Sequence, residues 1–267
     1  MGAIGYPFAL LARRPLAMIG AFVILFAAFV VTDFGFAAAG VDYQLDRGAS
    51  ALNNLISGVI NLIGSAYVMG LGMVDLKRRD QPPSAADAAL FFVLNLKFGF
   101  MVVLPLGVVT MVLIGVAAFI ARPETPGDFG PSGPIMLAVL FVTGLVFLFF
   151  LFKLYLAWPM ALNDSRPRLW RAWGLSKGKF WLIAGVVTVS YIVGLAPFFI
   201  VGIVLHAIGM IPQGPVDSVT AALRPTALVY SLVLNALTTF MLVYTTPVAA
   251  HLYDQIGPQK VSVADEF

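Results

Sequence analysis

Six long apolar segments dominate this sequence, and each is long enough to cross a lipid bilayer as a helix. They lie within residues 16–39, 51–74, 88–121, 134–160, 180–211 and 226–253. The hydrocarbon core of a bilayer is about 30 Å thick, so a helix needs about 20 apolar residues to cross it. No alternation of apolar and polar residues is seen, which favours helices over the strands of a barrel. The sequence therefore predicts an all-α, polytopic membrane helix bundle with six spans.

The composition argues against a soluble globular protein. Hydrophobic residues make up 60% of the 267 residues and charged residues only 11%, whereas soluble domains are about 25% charged. No cysteine is present, so disulfides, thiolate metal sites and cysteine nucleophiles are excluded. We expect a single transmembrane domain over residues 1–267, with short tails at 1–14 and 254–267.

Two of the apolar segments are too long for one simple crossing. Lys97 divides the third segment, so we expect a helix over 85–97 at the membrane surface and the span itself over 98–120. The fifth segment contains Pro197, which lacks a backbone donor and predicts a kink. Beyond Gly202 we expect a short outer helix or a loop.

Lysine and arginine are unevenly distributed between the two ends of the predicted spans. Of the sixteen cationic residues, eleven fall at one end and three at the other, while Lys97 and Lys153 lie at the membrane edge. Cytoplasmic loops of membrane proteins are enriched in lysine and arginine. The sequence therefore predicts a multi-pass protein of a bacterial inner membrane with both termini in the cytoplasm.

The most polar segment is NDSRPRLWRAWGLSKGKFW at 163–181, which carries five cationic residues and three of the four tryptophans. Asp164 and Ser165 are good N-caps and Pro167 suits a first turn, so we expect a helix over 167–175. Indole rings favour the headgroup level and arginine binds lipid phosphates. Two interpretations remain open: a plain interfacial anchor, or a defined site for an anionic lipid head group or a partner. The candidate interface residues, including those of the preceding cationic loop, are Arg166, Arg168, Trp170, Arg171, Trp173, Lys177, Lys179, Lys77, Arg78 and Arg79.

Uncharged polar residues form a stripe on one face of two predicted spans, because they recur at intervals of three and four residues. The stripes are Asn54, Ser57, Asn61 and Ser65 in the second span, and Ser231, Asn235 and Thr238 in the sixth. The simpler interpretation is contact between packed helices through hydrogen bonds. The alternative is a shared polar cavity for a small solute.

The sequence contains no recognisable catalytic or metal-binding pattern. Its two histidines, His206 and His251, fall at opposite ends of their spans, and no HExxH, Walker, GxGxxG or GxSxG motif occurs. No acid or base lies convincingly at the centre of a span, which argues against proton-coupled transport. We therefore expect a non-enzymatic protein that needs no cofactor and binds no nucleic acid.

Two functions are compatible with these features. The first is binding of membrane lipids, anionic ones above all, or of other membrane subunits, as an accessory or assembly subunit of a larger complex. The alternative is a transporter or channel for a lipid or a small amphiphilic solute, with the polar stripes facing its cavity.

One stretch resembles a known family. RLWRAWGLSKGKFWLIAG, preceded by AWPMALNDSRP, is similar to the cytoplasmic loop of bacterial six-helix membrane proteins related to the membrane domain of glycerophosphodiester phosphodiesterases. Arg171, Leu175 and Gly178 match the Arg-x-x-x-Leu-x-x-Gly core of that loop, and DAALFFVLNLKF resembles the matching stretch of a first repeat. The resemblance covers residues 10–255 and implies a six-helix membrane domain with a duplicated helical hairpin. It implies no enzymatic activity, because the sequence contains no phosphodiesterase catalytic domain.

Single-cysteine variants test the predicted orientation directly, because the chain has no other cysteine. In intact bacterial cells, an impermeant maleimide is expected to label Arg224→Cys but not Lys177→Cys, since lysine- and arginine-rich loops stay in the cytoplasm. In inverted membrane vesicles the pattern should reverse. Labelling of Lys177→Cys from outside intact cells would contradict the orientation.

Overall fold

Helices are the only regular secondary structure in the residues that the computed structural model describes, which are 2–40, 47–121, 132–210 and 219–257. In chain order they are α1 (Tyr6–Arg13), α2 (Pro15–Ala38), α3 (Arg47–Asp75), α4 (Ala85–Phe98), α5 (Leu104–Ala121), α6 (Ser132–Leu154), α7 (Ala157–Asp164), α8 (Leu169–Leu175), α9 (Phe180–Ala207), α10 (Val219–Ala222) and α11 (Pro225–Ile256), with a 3-10 turn at Ala3–Gly5 and a π-helical segment at Gly99–Val103. Six helical stretches of the described chain are long and apolar enough to cross a membrane: Pro15–Ala38, Gly48–Asp75, Ala85–Val116, Pro134–Asp164, Phe180–Ala207 and Pro225–Ile256. The predicted all-α bundle with six spans is therefore confirmed.

Both described termini of the chain lie at the same end of the bundle. Asp75, at the end of α3, pairs with Arg14 before α2, and Arg78 after α3 pairs with Asp254 near the end of α11. We refer to this end as the basic end. It carries most of the described cationic residues: Arg13, Arg14, Lys77, Arg78, Arg79, Arg166, Arg168, Arg171, Lys177 and Lys179. Arg122 and Lys260, which the sequence assigns to opposite ends, lie outside the described residues.

Helix α11 lies at the centre of the bundle and packs against α2, α3 and α9. Most of its second half is buried, from Leu242 to Ile256. Gly64 of α3 allows the close approach, because a Cβ atom there would lie 2.6 Å from Leu25 Cδ2 and 3.3 Å from Leu242 Cδ2. A small residue at this point therefore brings α2, α3 and α11 together, as is usual for helices packed in a membrane.

Helix α1, within the predicted N-terminal tail, packs onto the basic end. Tyr6 and Leu10 of α1 are fully buried. The Tyr6 hydroxyl donates toward the Gly72 carbonyl oxygen at 3.0 Å and Asp75 Oδ2 at 3.1 Å. Burial, reinforced by the adjacent Asp75 carboxylate, raises the pKa of Tyr6, so its hydroxyl stays protonated and remains a donor. The carboxylate of Asp75 also pairs with Arg13 at 3.0 Å, which fastens both ends of α1 to α3.

The prediction of a separate surface helix over 85–97 is wrong, because these residues are part of the third span. Helices α4 and α5 form one continuous helical run, joined by the π-helical segment Gly99–Val103. Lys97 does not interrupt this run, because its Nζ donates to the carbonyl oxygen of Pro167 at 3.1 Å. The run begins with a capping box in which the Ser84 amide donates to Asp87 Oδ2 at 2.7 Å. Helix α9 is likewise continuous to Ala207, beyond the predicted end of the span near Gly202.

The short helix α7 turns into the centre of the bundle after α6 ends. Its residues Ala157, Met160 and Leu162 are at most 2% exposed, and α7 contacts α3, α4, α8 and α11. Asp164 ends α7 and Ser165 has a left-handed backbone (φ 50°), so neither residue caps α8 as the sequence predicted. The Asp164 carboxylate instead accepts a hydrogen bond from Arg171 at 2.8 Å. Helix α7 thus fills the centre of the bundle at the basic end.

Arg78→Ala is expected to destabilise the protein by about 3 kcal/mol, because it leaves the Asp254 carboxylate without its partner in a largely buried ion pair. Arg78 Nε lies 2.5 Å from Asp254 Oδ1, Nη2 lies 2.7 Å from the Asp254 carbonyl oxygen, and only 10% of the Arg78 side chain is exposed. The matched control is Lys77→Ala, because Lys77 precedes it and is exposed. Unfolding in detergent with increasing denaturant measures both variants, and equal stability of the two would contradict this role for Arg78.

Candidate functional site

A cavity of about 420 Å³ lies between α3, α4, α9 and α11, beside the chain that joins α6 to α7. Its volume falls within the range of about 300–1,000 Å³ that is typical of small-molecule sites. The apolar residues of its wall are Gly58, Leu62, Met69, Phe91, Leu151, Trp158 and Ala249. The polar residues are Asn61, Ser65, Asn95, Tyr155, Tyr191, Thr245 and Thr246.

Helix geometry explains how two of the polar groups reach the same wall. Asn61 and Ser65 are four residues apart on α3, so they lie on one face of that helix. Asn95 of α4 is held in place by its own helix, because its Nδ2 donates to the Phe91 carbonyl oxygen at 2.8 Å. Thr245 is held similarly by a hydrogen bond to the Met241 carbonyl oxygen at 2.8 Å.

The other polar side chains of the cavity have no hydrogen-bond partner in the part of the chain that the structure describes. These side chains are Asn61, Ser65, Tyr155, Tyr191 and Thr246. A polar group left without a partner away from water costs about 1–3 kcal/mol. Native proteins satisfy most such groups, so this cluster points to an occupant that supplies the missing hydrogen bonds.

Helix α7 closes the cavity toward the basic end. Trp158 of α7 contributes to the wall, and Leu154, Leu156 and Met160 around it are at most 1% exposed. The opposite part of the cavity is open, because Gly58 in its wall is exposed. Leu55 next to it is 66% exposed, so the opening faces the apolar flank of the bundle.

The predicted stripe on α3 reaches this cavity only in part. Asn61 and Ser65 line it, whereas Asn54 and Ser57 lie nearer the start of α3 and outside the wall. Of the predicted stripe on α3, only the half nearer the basic end therefore lies at a polar cavity.

The predicted stripe on α11 makes helix contacts instead. Ser231 Oγ and Asn235 Nδ2 donate to Asp33 Oδ2 of α2 at 2.7 Å and 2.8 Å. Thr238 does not line the cavity. The two stripes thus do not share a cavity, and the Asp33 cluster joins α2 to α11 at the end of the bundle opposite the basic end.

The predicted interface residues separate into an exposed group and a paired group. The exposed group, which we name the basic rim, consists of Arg166, Arg168, Trp170, Lys177 and Lys179. In the paired group, the side chains of Arg78 and Arg79 are only 10% and 14% exposed and form ion pairs with Asp254 and Asp87. Arg171 pairs with Asp164, and Lys77 remains exposed in its loop.

Trp173 of the predicted interface belongs to an aromatic cluster inside the fold. Its ring lies 5.8 Å from those of Phe149 and Phe150, and Lys153 Nζ lies 5.4 Å from its centroid. Trp170 faces outward with 52% of its area exposed, and Trp181 of the same segment is 83% exposed.

Sequence reasoning missed several polar residues of the cavity, namely Asn95, Tyr155, Tyr191, Thr245 and Thr246. Asn95, Tyr155 and Tyr191 lie in α4, in the junction between α6 and α7, and in α9, so no periodic pattern within one helix links them. The pair Thr245–Thr246 before Pro247 could have been recognised as a polar site in the sixth span. A proline within a helix leaves a backbone carbonyl group without its usual hydrogen-bond donor.

Among the described residues, no group of three or more His, Asp or Glu residues could hold a metal ion. A comparison with protein families, with characterised proteins and with solved structures found no match. The resemblance to glycerophosphodiester phosphodiesterase membrane domains therefore stays a prediction.

Cysteine substitution tests whether the cavity is accessible. Ser65→Cys is expected to react with N-ethylmaleimide in detergent many times faster than Ala66→Cys, because Ser65 lines the cavity whereas Ala66 is packed and only 1% exposed. Mass spectrometry of timed samples gives both rates. Equal rates at the two adjacent positions would contradict an open cavity.

Proposed function

We propose that this chain is a non-enzymatic integral membrane protein that binds a lipid or lipid-like amphiphile in the cavity beside α7. The observation that carries the proposal is the convergence of five hydrogen-bonding side chains without described partners inside an otherwise apolar wall. An amphiphile satisfies both features of the site. Its head group binds the polar side chains, and its chain leaves through the opening beside Gly58 along the apolar flank.

The chemistry of the wall supports binding rather than catalysis. None of the described residues that line the cavity is His, Asp, Glu or Lys. A serine nucleophile requires an adjacent base. Ser65 has no such residue beside it in the wall, so its hydroxyl serves as a hydrogen-bonding group.

The basic rim supports a second, more general contact with lipid. Its four cationic side chains are exposed next to Trp170, in a segment that lies at the basic end of the spans. Each cation near an anionic leaflet contributes about 1 kcal/mol of attraction. We therefore propose that the basic rim binds anionic lipids of the surrounding leaflet and anchors α8 at the membrane surface.

Transport of the same amphiphile is the second candidate function, and the lateral opening of the cavity favours it. Transport requires a second state, however, in which α7 no longer closes the basic end. At the opposite end, Asp33 holds α2 to α11 through Ser231 and Asn235. Binding needs only the state that the structure describes, so it is the function that the geometry supports better.

A cavity-filling variant tests the proposal. Gly58→Phe is expected to displace the amphiphile without distorting the helix, because a Cβ atom at Gly58 meets no atom within 4 Å and the position lines the cavity. The control is Gly144→Phe on α6, which is exposed and equally free of neighbours but outside the cavity.

The measurement is lipid extraction and mass spectrometry of each protein purified in a mild detergent. We expect wild type and Gly144→Phe to retain an amphiphile in fixed ratio to protein, and Gly58→Phe to lose it. A wild-type protein free of bound amphiphile, or equal retention by both variants, would refute the proposal.

A further inference from the structure

Among the residues that the structure describes, none with a charged side chain lines the cavity. Ionisable residues near the wall residues along the helices have partners elsewhere. Lys97, two residues after Asn95, donates to the Pro167 carbonyl oxygen at 3.1 Å. Asp87, one turn before Phe91, is paired with Arg79 at 2.7 Å, and Asp254 is paired with Arg78. Lys153 lies over the rings of Trp173 and Phe180 at 5.4 Å and 5.6 Å. These charges are thus engaged outside the cavity.

An ionised head group would find no counter-ion in this wall. Moving a phosphate or a carboxylate out of water is strongly unfavourable unless the anion is paired with a cation and its oxygen atoms are also hydrogen-bonded. A cationic head group meets the same difficulty. The aromatic rings of Phe91, Trp158 and Tyr191 could face a quaternary ammonium group. Such a group neither donates nor accepts a hydrogen bond, so it would leave the polar side chains without partners.

The polar side chains do match an uncharged head group. Ser65, Tyr155, Tyr191 and Thr246 carry hydroxyls that both donate and accept, and Asn61 has an amide that does the same. Hydroxyl and ester carbonyl groups, as found in acylglycerols, offer the complementary donors and acceptors. Their burial costs little once these hydrogen bonds form.

We propose that the cavity selects an amphiphile with an uncharged head group that carries hydroxyl and carbonyl groups, and excludes phosphate- or ammonium-bearing lipids. This inference rests on the proposed function, since it specifies the ligand of the same site. It also separates the two lipid contacts of the protein by charge. Anionic head groups bind the basic rim outside, and uncharged ones bind within the bundle.

Three brominated amphiphiles test this selection: a monoacylglycerol, a lysophosphatidic acid and an alkyl trimethylammonium. The first two carry the same dibromostearoyl chain, and the third carries a brominated alkyl chain of matching length. The reporter is a variant in which Trp170, Trp173 and Trp181 are replaced by Phe, which leaves Trp158 in the cavity wall. In phosphatidylcholine nanodiscs, bromine quenches Trp158 fluorescence on contact. The monoacylglycerol should give saturable quenching at a mole fraction about tenfold lower than either charged probe.

Two substitutions in the cavity wall test the site. Asn61→Leu and Tyr191→Phe each remove a hydrogen-bonding group and should weaken monoacylglycerol binding by about threefold to tenfold. Ser57→Ala on the same helix lies outside the wall and should have no effect. Native mass spectrometry of the wild-type protein with each probe repeats the comparison without the tryptophan substitutions.

The outcomes separate the inference from the proposed function. Charged probes that bind as tightly as the monoacylglycerol overturn the inference alone. If none of the probes gives saturable quenching that Gly58→Phe removes, cavity binding fails, and the proposed function with it.

Discussion

Hydrocarbon offers a polar group no hydrogen-bond partner, so each polar side chain in a span must find one within the protein or in a bound guest. Several polar residues in these spans meet this constraint within their own helix. Thr32, Thr110, Thr239 and Thr245 each donate to the carbonyl oxygen four residues earlier in the same helix. Asp33 satisfies the constraint between helices, through Ser231 and Asn235. Asn53 Oδ1 of α3 is buried without a partner among the described residues. In the cavity, five side chains without such a partner face one shared space, which is why we assign the binding site there.

At the basic end the same constraint applies to charges, and ion pairs meet it. Asp75 joins α1 to α3, Asp254 joins α11 to the loop after α3, and Asp87 joins that loop to α4. Asp164 joins α7 to α8. These pairs link elements at the basic end to one another, and the apolar side chains of α7 pack between α3, α4 and α11. The floor of the cavity therefore depends on cations that sequence reasoning assigned to lipid contact, such as Arg78 and Arg79, whose side chains are 10% and 14% exposed.

The number and approximate bounds of the spans could be predicted because local composition determines them: an apolar run of sufficient length forms a helix in a bilayer whatever its neighbours are. The failures involve contacts between distant segments. Lys97 marked a boundary in the sequence, yet its reach to Pro167 lets the helix continue. Residues 157–164 gave no sign of entering the bundle. Asn61 and Ser65 were found because their spacing is periodic, whereas Tyr155 and Tyr191 reach the cavity only through the packing of separate elements.

In our proposal, the protein distinguishes charged from uncharged head groups because the cavity is apolar whereas the basic rim is exposed to water. A close fit of shape is not needed for this selection. A cavity that opens on the apolar flank is accessible to any lipid tail, so the tail cannot discriminate among ligands. The head group must instead exchange water for the side chains of the wall, and only an uncharged one recovers most of its hydrogen bonds in that exchange. At the basic rim the cationic side chains are exposed to solvent, so in our proposal that surface prefers anionic head groups. One bundle would then contact two lipid classes at once, although none of the described residues of the cavity wall is charged.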